Sequence, residues 1–153
     1  MPNAELTAII RRFITEMVPF NAHLGLQLEE VRHGHARLCL PFRPEFVGDP
    51  FRPALHGGLT AVLIDSCGGA AAATVIDFGD RMSTIDLRVD YLQPARLEPL
   101  VADGRVLRVG KRLCWVDVRV YHPGAPEHAI AQGRAVYNIR RGAPAPEGPQ
   151  QPR

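Results

Sequence analysis

The sequence predicts an α+β fold in which an antiparallel six-stranded sheet wraps around one long central helix, with a short helix before it. Two patterns carry this prediction. One long segment in the middle of the chain is almost entirely apolar or small, whereas the segments around it alternate apolar and polar residues as strands do. A chain of 153 residues with 46% hydrophobic residues can bury one core. We therefore expect a single domain over residues 1–141.

The first predicted element is an amphipathic helix. Apolar residues recur at three-and-four spacing from Leu6 to Val18, with Asn3 as the N-cap and Pro19 as the end of the helix. A proline-rich loop from Arg43 to Ala54 later leads the chain to the central helix.

The alternating segments predict six strands, and three of the turns between them contain glycine, at residues 33–34, 110–112 and 122–124. They cover residues 24–28, 36–42, 84–91, 101–109, 113–121 and 129–139. On the last strand, one face begins with the small residues Ala129, Ala131, Gly133 and Ala135, which allow a helix to lie close against it.

Residues 57–75 form the long apolar segment, which is too long for a strand and lacks the charged face of a surface helix. We interpret it as a helix that is buried on most sides. Gly68 and Gly69 are unfavourable inside a helix, so they either permit a very close contact or mark a break.

Composition excludes several classes of protein. The net charge of +2 is spread along the chain, which disfavours nucleic-acid binding. No stretch approaches the roughly 20 apolar residues of a membrane span, and no leader is evident, so we expect a cytoplasmic protein. Cys39, Cys67 and Cys114 lack metal or disulfide spacing and are expected to be buried thiols. Residues 142–153 have little to bury and are expected to be disordered.

Candidate chemistry concentrates where the central helix begins. His56 precedes Gly57 and Gly58, and a helix N-terminus leaves amide N–H groups unpaired, so these glycines can cradle an oxyanion. Asp65 is the candidate base, because a carboxylate among apolar residues needs a site or a partner. The helix runs roughly 13 Å from His56 to Asp65 and turns about half way round. We therefore expect the site to draw on two subunits.

Four features of the sequence stand in a fixed order: His-Gly-Gly at 56–58, an aspartate at 65, Thr-x-Asp at 84–86 and Tyr-x-x-Pro at 91–94. With them the chain resembles the hotdog-fold acyl-CoA thioesterases of the phenylacetate-degradation type. The resemblance spans roughly residues 24–139. It implies hydrolysis of an acyl-CoA thioester to a free acid and coenzyme A. It implies no metal, and no cofactor apart from the coenzyme A of the substrate. It also implies a homodimer, commonly doubled to a tetramer.

The resemblance assigns catalytic roles. The Gly57 amide would polarise the thioester carbonyl, and His56 would orient the loop or the substrate. Asp65 would attack the carbonyl or activate water, and the sequence leaves this choice open. Thr84 would position that water, or it is simply a strand threonine on a polar face.

Two further positions concern substrate binding. Asp49 occupies the place where many relatives carry an asparagine that helps bind the carbonyl, but an ionised aspartate cannot donate a hydrogen bond. The turn of Gly110, Lys111 and Arg112 would grip the phosphates of coenzyme A, or it is only a solvated hairpin.

Hotdog domains also serve as hydratases or dehydratases and as acyl-CoA-binding regulators, so fold alone does not fix the function. A hydratase would need a paired histidine and aspartate on the central helix, whereas Asp65 is followed by Ser-Cys-Gly-Gly. A regulator would normally bring a DNA-binding segment. Ser66 and Cys67 lack a nucleophile elbow and a histidine partner. The sequence does not identify the acyl group.

Overall fold

A computed structural model describes residues 4–142, in which a six-stranded antiparallel sheet folds around one central helix. The helices are α1 (Ala4–Arg12), α2 (Pro19–Leu24) and α3 (Gly57–Ala73), and the strands are β1 (Gln27–Arg32), β2 (His35–Leu40), β3 (Val47–Asp49), β4 (Ala54–Leu55), β5 (Arg81–Tyr91), β6 (Leu100–Val109), β7 (Leu113–Tyr121) and β8 (Ala129–Arg140). The order across the large sheet is β1-β2-β6-β7-β8-β5. The predicted hotdog architecture is confirmed. The Asn3 cap and the tail after Gly142 lie outside the described residues.

The helical region before the sheet differs from the single helix that the sequence predicts. α1 gives way to a π-helical turn over Phe13–Met17, and Pro19 begins α2 instead of closing the region. Proline suits the first position of a helix, because the N–H that it lacks would be unpaired there. α2 takes Leu24 out of the predicted strand, and Gly25 ends it with a φ of 73°. β1 therefore begins only at Gln27.

The connection from β2 to α3 is more ordered than a plain loop. β3 and β4 pair as a small second sheet, and the Phe46 carbonyl accepts the His56 N–H at 2.9 Å. A side chain at Gly48 would collide with the backbone of His56, since a Cβ there would lie 2.5 Å from the His56 Cα. Gly48 thus lets the loop pack directly against the start of α3.

α3 fills the concave side of the sheet, and Leu63, Ile64 and Cys67 are fully buried between them. A Cβ at Gly133 of β8 would lie 2.5 Å from Ile64 Cγ2, so the close approach predicted for the last strand is confirmed. α3 continues unbroken through Gly68, where a Cβ would lie 2.4 Å from the Tyr137 hydroxyl oxygen. The close-contact alternative for Gly68 is therefore the correct one.

The three cysteines are free and buried, as predicted. Burial raises the pKa of the Cys67 thiol to about 12, which leaves it protonated and unreactive near neutral pH. Within residues 4–142, no helix has both the length and the hydropathy that crossing a membrane requires.

Candidate active site

The first group of candidate residues lies at the N-terminus of α3. His56 precedes the helix, and its Nδ1 accepts the Gly58 N–H at 2.9 Å. The His56 carbonyl accepts the Leu59 N–H at 3.0 Å. The Gly57 N–H has no acceptor among the described residues. The Gly58 amide is thus occupied, and the Gly57 amide is the one left for a ligand oxygen.

Tyr91, the last residue of β5, completes this group. Its hydroxyl donates to the Gly57 carbonyl at 2.9 Å, and a Cβ on Gly57 would lie 3.3 Å from the Tyr91 ring. A cavity of about 390 Å³ opens beside them, with Thr60 and Ile130 in its wall. Sequence reasoning used Tyr91 only as a motif residue and gave it no role. We call His56, Gly57, Gly58 and Tyr91 the amide cluster.

The second group surrounds Asp65, which is half-buried in the middle of α3. Thr84 Oγ1 on β5 donates to Asp65 Oδ1 at 2.8 Å, and the Tyr137 hydroxyl on β8 donates to the Asp65 backbone carbonyl at 2.8 Å. Asp65 Oδ2 has no partner among the described residues. We call Asp65, Thr84 and Tyr137 the acid cluster. The structure thus brings together Asp65 and Thr84, the pair that the sequence singled out.

A β-bulge allows one strand to serve both clusters. In a regular strand, residues seven apart point to opposite faces, yet Thr84 and Tyr91 of β5 both contact α3. The β5–β8 register shifts between Thr84 and Asp86, which leaves Ile85 as an extra residue. Ile85 is accordingly 57% exposed. The continuous alternation predicted over 84–91 is therefore wrong at Ile85.

The two clusters of one chain are too far apart to act on the same bond. Gly57 and Asp65 are eight residues apart on α3, which corresponds to about 12 Å along the axis and a turn of only about 80°. Gly57 and Asp65 are therefore separated mainly by their distance along the helix axis and less by the helix face on which they lie. Both clusters also touch β5, which is the last strand of the sheet and has an open edge within the chain.

Asp49 is held by its own loop. Its carboxylate accepts the N–H groups of Phe51 and Arg52 at 2.9 and 3.0 Å, and it pairs with the Arg52 guanidinium. The amides of Arg52 and Phe51 keep the pKa of Asp49 below its ordinary value. An ionised carboxylate only accepts hydrogen bonds. Asp49 therefore offers no donor for a substrate carbonyl in this arrangement.

Gly110, Lys111 and Arg112 form the tight turn between β6 and β7, where the Gly110 N–H donates to the Leu113 carbonyl at 2.7 Å. Arg141 braces the turn by donating to the Gly110 and Lys111 carbonyls.

A cavity of about 440 Å³ lies beside this turn. Lys111, Arg112, Arg140 and Arg141 all line it. Sequence reasoning missed Arg140 and Arg141, because the pairing of β7 with β8 brings them there from the far end of the chain.

Similarity to known proteins is extensive. The family model of the thioesterase superfamily matches residues 53–127. A putative esterase of Halobacterium salinarum is 34% identical over 125 residues, which cover 77% of this chain and 82% of that protein. The medium/long-chain acyl-CoA thioesterase YigI of Escherichia coli is 32% identical over 135 residues, covering 80% and 86%. A thioesterase family protein from Silicibacter pomeroyi has a similar solved structure, with a TM-score of 0.78, 25% identity and coverage of 86% and 96%.

Proposed function

The chain belongs to the thioesterase superfamily, and from this premise we propose that it hydrolyses acyl-CoA thioesters to a free acid and coenzyme A at sites shared by two subunits. The name of the relative YigI, an acyl-CoA thioesterase, supports this substrate class. The observation that carries the proposal is the pair of incomplete clusters on α3. Within residues 4–142, one has an amide without an acceptor and the other has a carboxylate oxygen without a partner.

In the proposed reaction, the Gly57 N–H donates to the thioester carbonyl oxygen and stabilises the negative charge that develops there. Asp65 Oδ2 then either takes a proton from an attacking water or attacks the carbonyl carbon itself. The C–S bond breaks and the thiolate of coenzyme A leaves. In the second route, water hydrolyses the resulting anhydride. The Thr84 hydroxyl donates its hydrogen to Asp65, so the Thr84 oxygen can accept a hydrogen bond from the water and orient that water.

A two-fold axis would complete the site. The thioester carbonyl has to lie about 3 Å from both the amide and the attacking atom, whereas about 12 Å of helix separates them in one chain. Antiparallel pairing of two β5 edges, with two α3 helices side by side, would set each amide cluster against the acid cluster of the other copy. Each dimer would then hold two equivalent sites. A doubled dimer remains a prediction.

The basic turn is the proposed binding site for the phosphates of coenzyme A. Lys111 and Arg112 lie beside a cavity, and neither forms an ion pair with an acid among the described residues. Arg140 adds a third cation to the same cavity. Phosphate groups are attracted to such a cluster, and the attraction weakens with ionic strength.

The test is release of thiol from a panel of acyl-CoA esters, followed with a thiol-reactive dye. The panel includes short, medium, long and aromatic acyl groups, since the phenylacetate type is still a prediction, as is a cytoplasmic location. Turnover by the wild type, lost in Asp65→Asn, is the expected result. Thermal stabilisation by the esters without thiol release would instead indicate a sensor. Hydration of an enoyl-CoA without thiol release would indicate a hydratase.

A further inference from the structure

Two of the three tyrosines in the chain donate hydrogen bonds to backbone carbonyls of α3, and they do so at the two proposed catalytic positions. Tyr91 bonds the Gly57 carbonyl at 2.9 Å, and Tyr137 bonds the Asp65 carbonyl at 2.8 Å. The tyrosines approach from two different strands, β5 and β8. The same type of contact therefore recurs where α3 carries each of its proposed functional groups.

Glycine makes room for each tyrosine. A Cβ at Gly57 would lie 3.3 Å from the Tyr91 ring, and a Cβ at Gly68 would lie 2.4 Å from the Tyr137 hydroxyl oxygen. Glycine inside a helix is unfavourable relative to alanine. The Tyr137 hydroxyl lies so close to α3 that only glycine leaves room for it at position 68.

Neither bond is needed to complete the helix. A carbonyl inside a helix already accepts the N–H four residues later, and its second lone pair is normally free. A tyrosine on that carbonyl instead ties the helix to a chosen point of the sheet. We propose, on the basis of the function inferred above, that Tyr91 and Tyr137 are positioning residues that hold the Gly57 amide and the Asp65 carboxylate in register with the sheet.

Tyr91 acts on a peptide that is held at both ends. The carbonyl of the Gly57–Gly58 peptide accepts from Tyr91, and its N–H donates to His56 Nδ1. Two successive glycines have wide backbone freedom, so this clamp fixes the peptide that follows Gly57. The preceding peptide, which carries the Gly57 N–H, is held through the His56 carbonyl by the Leu59 N–H.

Tyr137 links the acid cluster across two strands. It pairs in register with Thr84, whose hydroxyl donates to the Asp65 side chain, while its own hydroxyl donates to the Asp65 backbone. Tyr137 is 2% exposed, and burial raises the pKa of its hydroxyl, which therefore stays protonated and able to donate. Asp65 is thus held by its side chain and by its backbone.

The experiment compares Tyr91→Phe and Tyr137→Phe with Tyr121→Phe, which alters the third tyrosine, a buried residue of β7 outside both clusters. Each positioning variant is expected to lose about tenfold in kcat, because one hydrogen bond is removed while the ring remains. Its KM should stay within about twofold and its melting temperature near that of the wild type, while Tyr121→Phe should keep wild-type kcat. Melting temperatures that fall while kcat per folded protein is unchanged would overturn the proposal.

Amide NMR spectra provide a readout that does not depend on turnover. In Tyr91→Phe the Gly57 and Gly58 resonances should shift and broaden, and in Tyr137→Phe those around Asp65 should do so, whereas Tyr121→Phe should leave both regions unchanged. If the wild type hydrolyses no ester, the proposed function fails and these spectra alone decide the positioning role. Resonances that match the wild type in both variants would refute it.

Discussion

The amide cluster and the acid cluster lie on the same helix but are built in opposite ways. The amide cluster uses the backbone of an exposed helix start, with a local bond from Gly58 to His56 and one long-range bond from Tyr91 to Gly57. The acid cluster uses a side chain in the middle of the helix. It is held by two strands distant in sequence, through Thr84 and Tyr137.

In the proposed mechanism, this difference is the reason that the two clusters have to act together. An unpaired backbone amide is available only in the first turn of a helix, because later amides are paired inside it. A half-buried carboxylate, by contrast, needs the support that the middle of α3 receives from the sheet. One helix cannot offer both at the same point, so the proposed site has to combine the start of one helix with the middle of another.

The largest effect is expected in the acid cluster. Asp65→Asn should lower kcat by about a hundredfold or more, as the loss of a catalytic base or nucleophile usually does. The asparagine oxygen can still accept from Thr84, so the melting temperature should stay close to that of the wild type. Steady-state thiol release and thermal unfolding measure both quantities. Unchanged turnover would remove Asp65 from the mechanism.

Thr84 tests whether the hydroxyl of the acid cluster matters. Thr84→Val keeps the shape but loses the bond to Asp65 and the water acceptor, so kcat should fall about tenfold. Thr84→Ser keeps the hydroxyl and is the matched control, with activity near that of the wild type. If valine and serine behave alike, Thr84 is only a strand residue.

The basic turn should affect binding without affecting chemistry. In the double variant Lys111→Ala with Arg112→Ala, KM should rise about fivefold to tenfold while kcat is kept. The wild-type KM should rise with salt more steeply than that of the variant, because screening acts on the same contacts. An exposed arginine of α1, Arg12, provides the control substitution. A KM equal to that of the control would refute phosphate binding at this turn.

Asp49 should have the smallest effect, since its carboxylate is already used by the loop. Asp49→Asn should change kcat by less than about threefold. The pKa of Asp49 is lowered in the folded chain, so its contribution to stability is full above its unfolded pKa of about 3.9. That contribution disappears as the pH falls through the lower folded pKa. Melting temperatures of wild type and variant should therefore differ at pH 6 and converge towards pH 3. A constant difference would contradict this assignment.

Periodicity predicts the elements that one repeating pattern defines. The central helix and five of the six main strands lie close to their expected bounds, because each buries one regular face or stripe. β1 is displaced, since the pattern cannot indicate that Pro19 begins a second helix. The β3–β4 pair is too short to produce any alternation.

The candidate site was only partly predictable, for a related reason. His56, Gly57 and Asp65 stand close in sequence on one element, so a motif captures them. Tyr91 and Tyr137 reach α3 through the pairing of distant strands and, for Tyr91, through the bulge at Ile85. A bulge turns the side chains beyond it to the other face of the sheet. Alternation alone therefore assigns those side chains to the wrong face.

Complementation between two inactive proteins tests the shared site most directly. Gly57→Val is expected to displace the amide and disrupt the amide cluster, since the added side chain meets Tyr91, and Asp65→Asn removes the acid. The two proteins carry different affinity tags, are mixed in denaturant and refolded, and the heterodimer is quantified by tandem capture. Half of the dimers should be heterodimers with one intact site of two, which restores about a quarter of wild-type activity. Heterodimers that form but show no activity would mean that both groups act within one chain, and would contradict the account.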